Sequence, residues 1–288
     1  MCEPRMRTTH SSLVLLLAAG LLLAALPSQG GAQSWRSVTM SRQLSGEREL
    51  DVVIRFGAGR LVLGSTADDV LYRMRLRYDE DFFEPVAEYR RNRLDLGLTG
   101  TRRSTPWRRQ DQQEMELYLA RSVPMNLELE FGAVRADLDL GGMLLKKLDL
   151  STGASESRVE ISEPNSMRMA NAGFKVGAAD FRVGDLGNLN AERITVDAGL
   201  GRVVLDFGGK WQGDTTVSVQ MGLGSLELRF PRGLGVQVVP STFLASMDSE
   251  GLVKRGSSYY SMDWEEAEHR VTVDVDAAFG SINVIWIR

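Results

Sequence analysis

Gly199-Leu200-Gly201-Arg202-Val203-Val204-Leu205 is followed, 23 residues on, by Gly222-Leu223-Gly224-Ser225-Leu226-Glu227-Leu228. Each stretch opens on glycine, places a small residue two positions later and then alternates polar with apolar. Working outward, the same pattern returns in Gly57-Ala58-Gly59-Arg60-Leu61-Val62-Leu63, Gly132-Ala133-Val134-Arg135-Ala136-Asp137-Leu138, Gly153-Ala154-Ser155-Glu156-Ser157-Arg158-Val159, Gly177-Ala178-Ala179-Asp180-Phe181-Arg182-Val183 and Ala278-Phe279-Gly280-Ser281-Ile282-Asn283-Val284. Most copies follow another alternating run: Leu127–Glu130, Leu148–Leu150, Ile194–Asp197, Val217–Gln220 and Val273–Asp276. The copy at Gly177 lacks a clean one.

The unit is strand, small-residue corner, strand. A period of two turns one face of each strand inward, and residues without a bulky Cβ let the chain bend sharply. The central copies start about 21 to 24 residues apart. That period belongs to solenoids, whose coils cannot bury an apolar face alone and must stack. An antiparallel sandwich of hairpins is the competing architecture, since glycine-rich links also make hairpin turns. The constant offset of the corner from both flanking strands favours the solenoid.

Residues 33–122 read as an N-terminal β cap. They contain Leu50–Phe56, Val70–Tyr78, Pro85–Tyr89, Leu94–Leu96 and Met115–Ala120 as strands, with an exposed loop over 99–113. Residues 123–288 form the repeat body. Within it 241–269 reads as an irregular excursion that covers the stack before the final strand pair, because open strand edges invite aggregation.

Ahead of all this, Arg5 and Arg7 precede the apolar run Leu13–Leu26, Pro27 and the small residues Gly30-Gly31-Ala32. This is the order of a secretory signal peptide over residues 1–32. Fourteen residues reach only about 21 Å as a helix, short of a roughly 30 Å hydrocarbon core. No later run is long enough for a transmembrane helix, so the expected location is exported: periplasm or cell surface. The net charge of −4 and a pI of 5.4 offer nothing to nucleic acid. Cys2 is the one cysteine and His10 and His269 the two histidines. The exported chain then has no thiol, no disulfide and no ordinary zinc site.

Gly251-Leu252-Val253-Lys254-Arg255-Gly256, Tyr260-Ser261, Trp264, Ala267 and Arg270–Val273 ending in Phe279-Gly280-Ser281-Ile282 resemble the C-terminal part of LiaF-like toast-rack proteins. Gly57 to Leu96, with Gly59, Leu61, Tyr78, Pro85 and Tyr89, is similar to the domain that precedes the rack. The resemblance implies a single-stranded β-helix (a toast-rack-like β-solenoid) in the bacterial cell envelope. Some such proteins sense envelope stress through membrane-bound signalling proteins, and others are of adhesin type. LiaF-like proteins often carry transmembrane helices beside the rack, whereas this chain shows only the cleavable signal.

Chemistry-bearing candidates are few. Asp137, Asp139, Asp149, Glu156, Asp180, Asp197, Asp206 and Glu227 sit at polar positions of the repeat. A carbohydrate-active β-helix enzyme would gather such acids in one cleft. Their even spread reads instead as solvated outward positions. The glycine-rich nonapeptide of calcium β-rolls is absent, and His269, among Glu266, Glu268 and Arg270, reads as an exposed histidine. The best binding candidate is the basic loop Arg102, Arg103, Trp107, Arg108 and Arg109, suited to an anionic surface such as lipid phosphate. Trp211, after Gly208-Gly209-Lys210, is a candidate stacking platform for a ligand. The expected function is a non-enzymatic envelope binding or scaffold module, without cofactor, whose partner is an envelope protein, lipid or glycan. An adhesin-like surface protein is the alternative.

Overall fold

The computed structural model describes residues 34–101 and 112–287, within a compact unit that begins at Ser34. The expected signal peptide, with Cys2 and His10, and the basic-loop residues Arg102, Arg103, Trp107, Arg108 and Arg109 lie outside the described residues.

Eight long strands make the body. In spatial order they are β2 (Leu50–Thr66), β7 (Met125–Asp139), β8 (Leu145–Glu160), β9 (Met169–Gly184), β10 (Ala191–Asp206), β11 (Thr215–Pro231), β15 (Arg270–Ile287) and β12 (Gly235–Asp248). All seven junctions are parallel. Leu127, Leu148, Ala172, Ile194 and Val217 lie opposite one another in successive strands. The sequence period is therefore the register of the stack, and the hairpin sandwich is excluded.

Each strand passes straight through its corner. In β7 every second residue from Met125 to Phe131 is buried, then Gly132 and Ala133 both face out, and burial resumes at Val134, Ala136 and Leu138. The alternation slips by one residue at the corner. Without that slip, the apolar positions of the second half would point to the opposite face. With it, both halves turn their apolar side chains into one core.

The core is continuous from end to end. One row of it runs Val52, Leu127, Leu148, Ala172, Ile194, Val217, Val273 and Val238, none more than 2% exposed. Leu205, Leu226 and Val284 are buried as well. A fully buried Val or Leu contributes roughly 1.5–3 kcal/mol, so the row is a large part of what holds the coils together.

The corner glycines answer to close approach. A Cβ on Gly132 would stand 2.3 Å from the Gly57 carbonyl oxygen. At Gly224 it would stand 1.8 Å from that of Gly201, and φ there is +143°, a conformation glycine alone adopts readily.

Two insertions finish the ends. Between β2 and β7 the chain makes β3 (Val70–Asp79), β4 (Phe83–Arg90), β5 (Arg93–Gly100) and β6 (Glu114–Ala120). Strand β5 pairs with the first half of β2 and β6 with the second half, both parallel. Strand β4 then pairs with β5, β3 with β6, and β1 (Trp35–Gln43) with β3, all antiparallel. The cap thus forks into two arms, and β2, which the sequence reading places in the cap, is the first full coil.

Between β11 and β15 the chain makes β12, β13 (Leu252–Arg255) and β14 (Ser258–Ser261). The sequence reading sets 241–269 outside the stack. The structure instead carries β12 through to Asp248 and lays it on the far edge of β15. The chain's final strand is therefore an inner coil and β12 the outermost. Its corner is hard to recognise because Phe243 stands where the other coils have glycine or alanine. No helix among the described residues is long and apolar enough to cross a membrane.

Candidate functional site

Because every coil shares one register, each corner position becomes a row of side chains crossing the stack. Two positions before the corner glycine the row reads Arg55, Glu130, Ser151, Lys175, Asp197, Gln220 and Asp276. Beside it the glycines leave a trough. This trough is an open groove of about 830 Å³. Its floor is Gly57, Gly132, Gly153 and Gly177, its wall is the row from Arg55 to Asp197, and Leu98, Thr99 and Gly100 of β5 close one end. A second hollow continues past Asp197 along Gly199, Gly222 and Ala278.

The charges along this wall differ in how they are held. Arg55 is paired with Glu130 at 2.7 Å and Asp95 at 3.6 Å. Lys175 and Asp197 are register neighbours, and neither has an ion-pair or hydrogen-bonding partner among the described residues.

The other outer face, beyond the corner, carries a run of ion pairs. Arg60 meets Asp137 at 3.7 Å, Arg135 meets Glu156 at 3.0 Å, Arg182 meets Asp180 at 3.1 Å and Arg202 meets Glu227 at 2.7 Å. Burial pushes the Glu227 carboxyl up, but hydrogen bonds from Arg202 and Arg229 outweigh it and hold the group below the usual carboxylate range. The opposite shift appears at Glu160, raised by burial and by the charge of Asp185. Asp185 is itself raised by burial and by Asp206.

These contacts account for most of the acids singled out by sequence. Asp137, Glu156, Asp180 and Glu227 are in these pairs, and Asp149 pairs with Lys147. Asp139 accepts hydrogen bonds from the Ser162 hydroxyl at 2.7 Å and the Gly141 amide at 2.9 Å. Asp206 accepts one from the Gly208 amide at 2.8 Å. The eight do not converge on one cleft. Asp197 alone is left with its carboxylate uncommitted, and it sits in the groove.

Trp211 lies nearly parallel to Phe207, and its indole N–H donates to the Phe207 carbonyl at 2.9 Å. Its ring also approaches the spot where a side chain on Gly187 would have to go, so it closes the end of a coil layer. His269 is partly exposed beside Glu268. Sequence reasoning missed Lys175, Arg55 and Glu130. Aligning the copies on their corner glycine would have found them, because each stands two places before it.

A sequence model described as the N-terminal domain of toast_rack, DUF2154, matches residues 29–184 and 171–229. Among solved structures, a cell adhesion protein (so named provisionally) from Clostridium sporogenes ATCC 15579 is 15% identical, with 88% of this chain and 100% of that chain covered and a TM-score of 0.46. An adhesin, also provisionally named, from Bacteroides fragilis NCTC 9343 is 10% identical, with 87% and 97% covered and a TM-score of 0.42. No curated protein matches the chain.

Proposed function

This chain belongs to the toast_rack family, and we propose from that premise that it is a non-enzymatic binding and scaffold module of the bacterial cell envelope. The observation that carries the reading is the contrast between its two charged faces. One face carries a run of ion pairs, at Arg60, Arg135, Arg182 and Arg202. The glycine groove keeps Lys175 and Asp197 uncommitted, side by side, over a floor of bare backbone. A rigid stack with one such groove is built to hold a partner at a fixed place, not to turn over a substrate.

The mixed signs favour a protein segment over a polyanion, since a polyanion would meet Asp197 and Glu130 as well as Lys175. The leader-like composition of residues 1–32 supports export.

The test is site-specific photo-crosslinking in cells of the bacterium that makes the protein. A benzophenone side chain at Ser151 or Lys175 should capture a discrete envelope protein. The same group at Arg158, on the face with the ion pairs, should not. Adducts at neither site, or equally at both faces, would reject the groove as the binding surface.

A further inference from the structure

The outermost coil ends the stack on an open strand. Strand β14 pairs with β12 only at Gln237 and Val238. From Val239 to Asp248, no strand among the described residues lies against the outer edge of β12. Edges are normally guarded by charge, proline or a covering element. Here Pro240 stands at the start, but the next seven residues, Ser241-Thr242-Phe243-Leu244-Ala245-Ser246-Met247, carry no charge. Phe243 is 78% exposed and Leu244 65%.

Those side chains continue a row. One position after the corner glycine, Leu200, Leu223, Phe279 and Leu244 lie opposite one another in four successive coils. All four are exposed, and Phe243 packs edge-on against Phe279 with ring centroids 6.2 Å apart. The same row in the earlier coils is Ala58, Ala133, Ala154 and Ala178. An apolar ridge therefore rises toward the open edge and stops there.

We propose that the occupant is a second copy of this chain, joined by antiparallel pairing of β12 with β12 across a two-fold axis at Leu244. Unpaired backbone donors and acceptors call for another strand, which a lipid surface cannot supply. The two-fold requires a self-complementary strand, and this one is. With Leu244 on the axis, Phe243 faces Ala245, Thr242 faces Ser246 and Ser241 faces Met247. No charge meets a like charge, and large meets small beside the axis. The two ridges join end to end into one apolar row. The corner helps, because reversing the strand about it sets the first half of one β12 on the second half of the other. The hairpin β13–β14 covers the coil's foot and leaves this central stretch free.

The experiment uses the protein expressed from its full sequence and purified as the cell leaves it. Sedimentation velocity at micromolar concentration should show a dimer. Leu244→Lys sets two ammonium groups face to face on the axis and should weaken the dimer at least tenfold. Its melting temperature should hold in dilute solution, because the side chain is exposed. In a Cys2→Ser background, Leu244→Cys should form a disulfide dimer with copper–phenanthroline, while Leu200→Cys, three coils inward, should not. A monomer at every concentration overturns the proposal. So does a dimer that Leu244→Lys leaves intact, or equal crosslinking from both cysteines. Monomers that float with phosphatidylcholine vesicles and lose that binding in Leu244→Lys would overturn it in favour of a lipid occupant.

Discussion

The first four coils and the last four are built on one plan and finished differently. Inside, they match: Leu127, Leu148, Ala172, Ile194, Val217 and Val273 continue one dry row through both halves. At the corner they diverge. In β7, β8 and β9 the residue two places after the glycine is Val134, Ser155 or Ala179, each buried. In β10, β11 and β15 it is Gly201, Gly224 or Gly280, all at positive φ. The same coils carry Leu200, Leu223 and Phe279 in the exposed row, where the first half carries alanine. One half offers a groove with small residues on its rim, the other a ridge. The interior and the corner glycine set the fold, and the outward residue that follows the glycine is free to vary for binding.

If that division is right, the largest effects must come from the shared interior and be equal in both halves. Leu226→Asp and Leu150→Asp each bury an unpaired carboxylate at a site no more than 1% exposed. Each should cost more than about 4 kcal/mol and abolish cooperative thermal unfolding. A chain that melts normally with Asp at either position would break the shared-core half of the comparison.

The next largest effects should separate tight corner positions from roomy ones, whichever half they sit in. Gly224→Ala places a Cβ 1.8 Å from the Gly201 carbonyl oxygen at positive φ, whereas Gly153→Ala places one 3.4 Å from that of Gly132, in ordinary contact. The first should cost about 2–4 kcal/mol, summing backbone strain and steric displacement. The second should stay within about 1 kcal/mol. Urea midpoints of the two variants measure this, and near-equal losses would show that the corners are mechanically alike.

Much of this was legible because the fold repeats. The alternation of Leu127–Glu130 and of Val217–Gln220 gives the strands, and the fixed offset to Gly132 or Gly222 gives the coil and its parallel register. Legibility failed where chemistry departs from the repeat. Strand β9 hides its first half, because Ala172 fills an inward slot held by leucine, isoleucine or valine in most neighbouring coils. Strand β12 has no corner glycine, so Phe243 masks it, and its place beyond β15 follows from pairing between segments distant in the chain. The groove was invisible for another reason. Arg55, Glu130, Lys175 and Asp197 are 22 to 75 residues apart between neighbouring coils and become a wall only through stacking. The acids were legible as outward positions. Asp149 and Asp180 pair within their own strands, with Lys147 and Arg182, but Asp137 and Glu156 find their cations only through cross-coil registry.

That registry makes the smallest test the most discriminating. Glu160 of β8 and Glu227 of β11 belong to the same outer face in opposite halves, and their shifts have opposite signs. Glu160 has a raised folded pKa, so the folded chain binds its proton more tightly than the unfolded chain. Its favourable contribution is fully present below the unfolded pKa and is lost as pH rises through the folded one. At pH 7 the charged group is a liability, and Glu160→Gln should raise the melting temperature by up to about 2 °C, well under about 1 kcal/mol at a partly exposed site. The gain should vanish near pH 3. Glu227 has a lowered folded pKa, so its contribution is present above the unfolded pKa and is lost as pH falls through the folded one. Glu227→Gln should therefore lower the melting temperature at pH 7, leaving Arg202 and Arg229 facing each other, and the penalty should fade in acid. Melting curves of both variants from pH 3 to 7 decide the matter. Shifts of the same sign at pH 7 would mean that the matched ions of the second half do not outweigh the cost of burying its carboxylate.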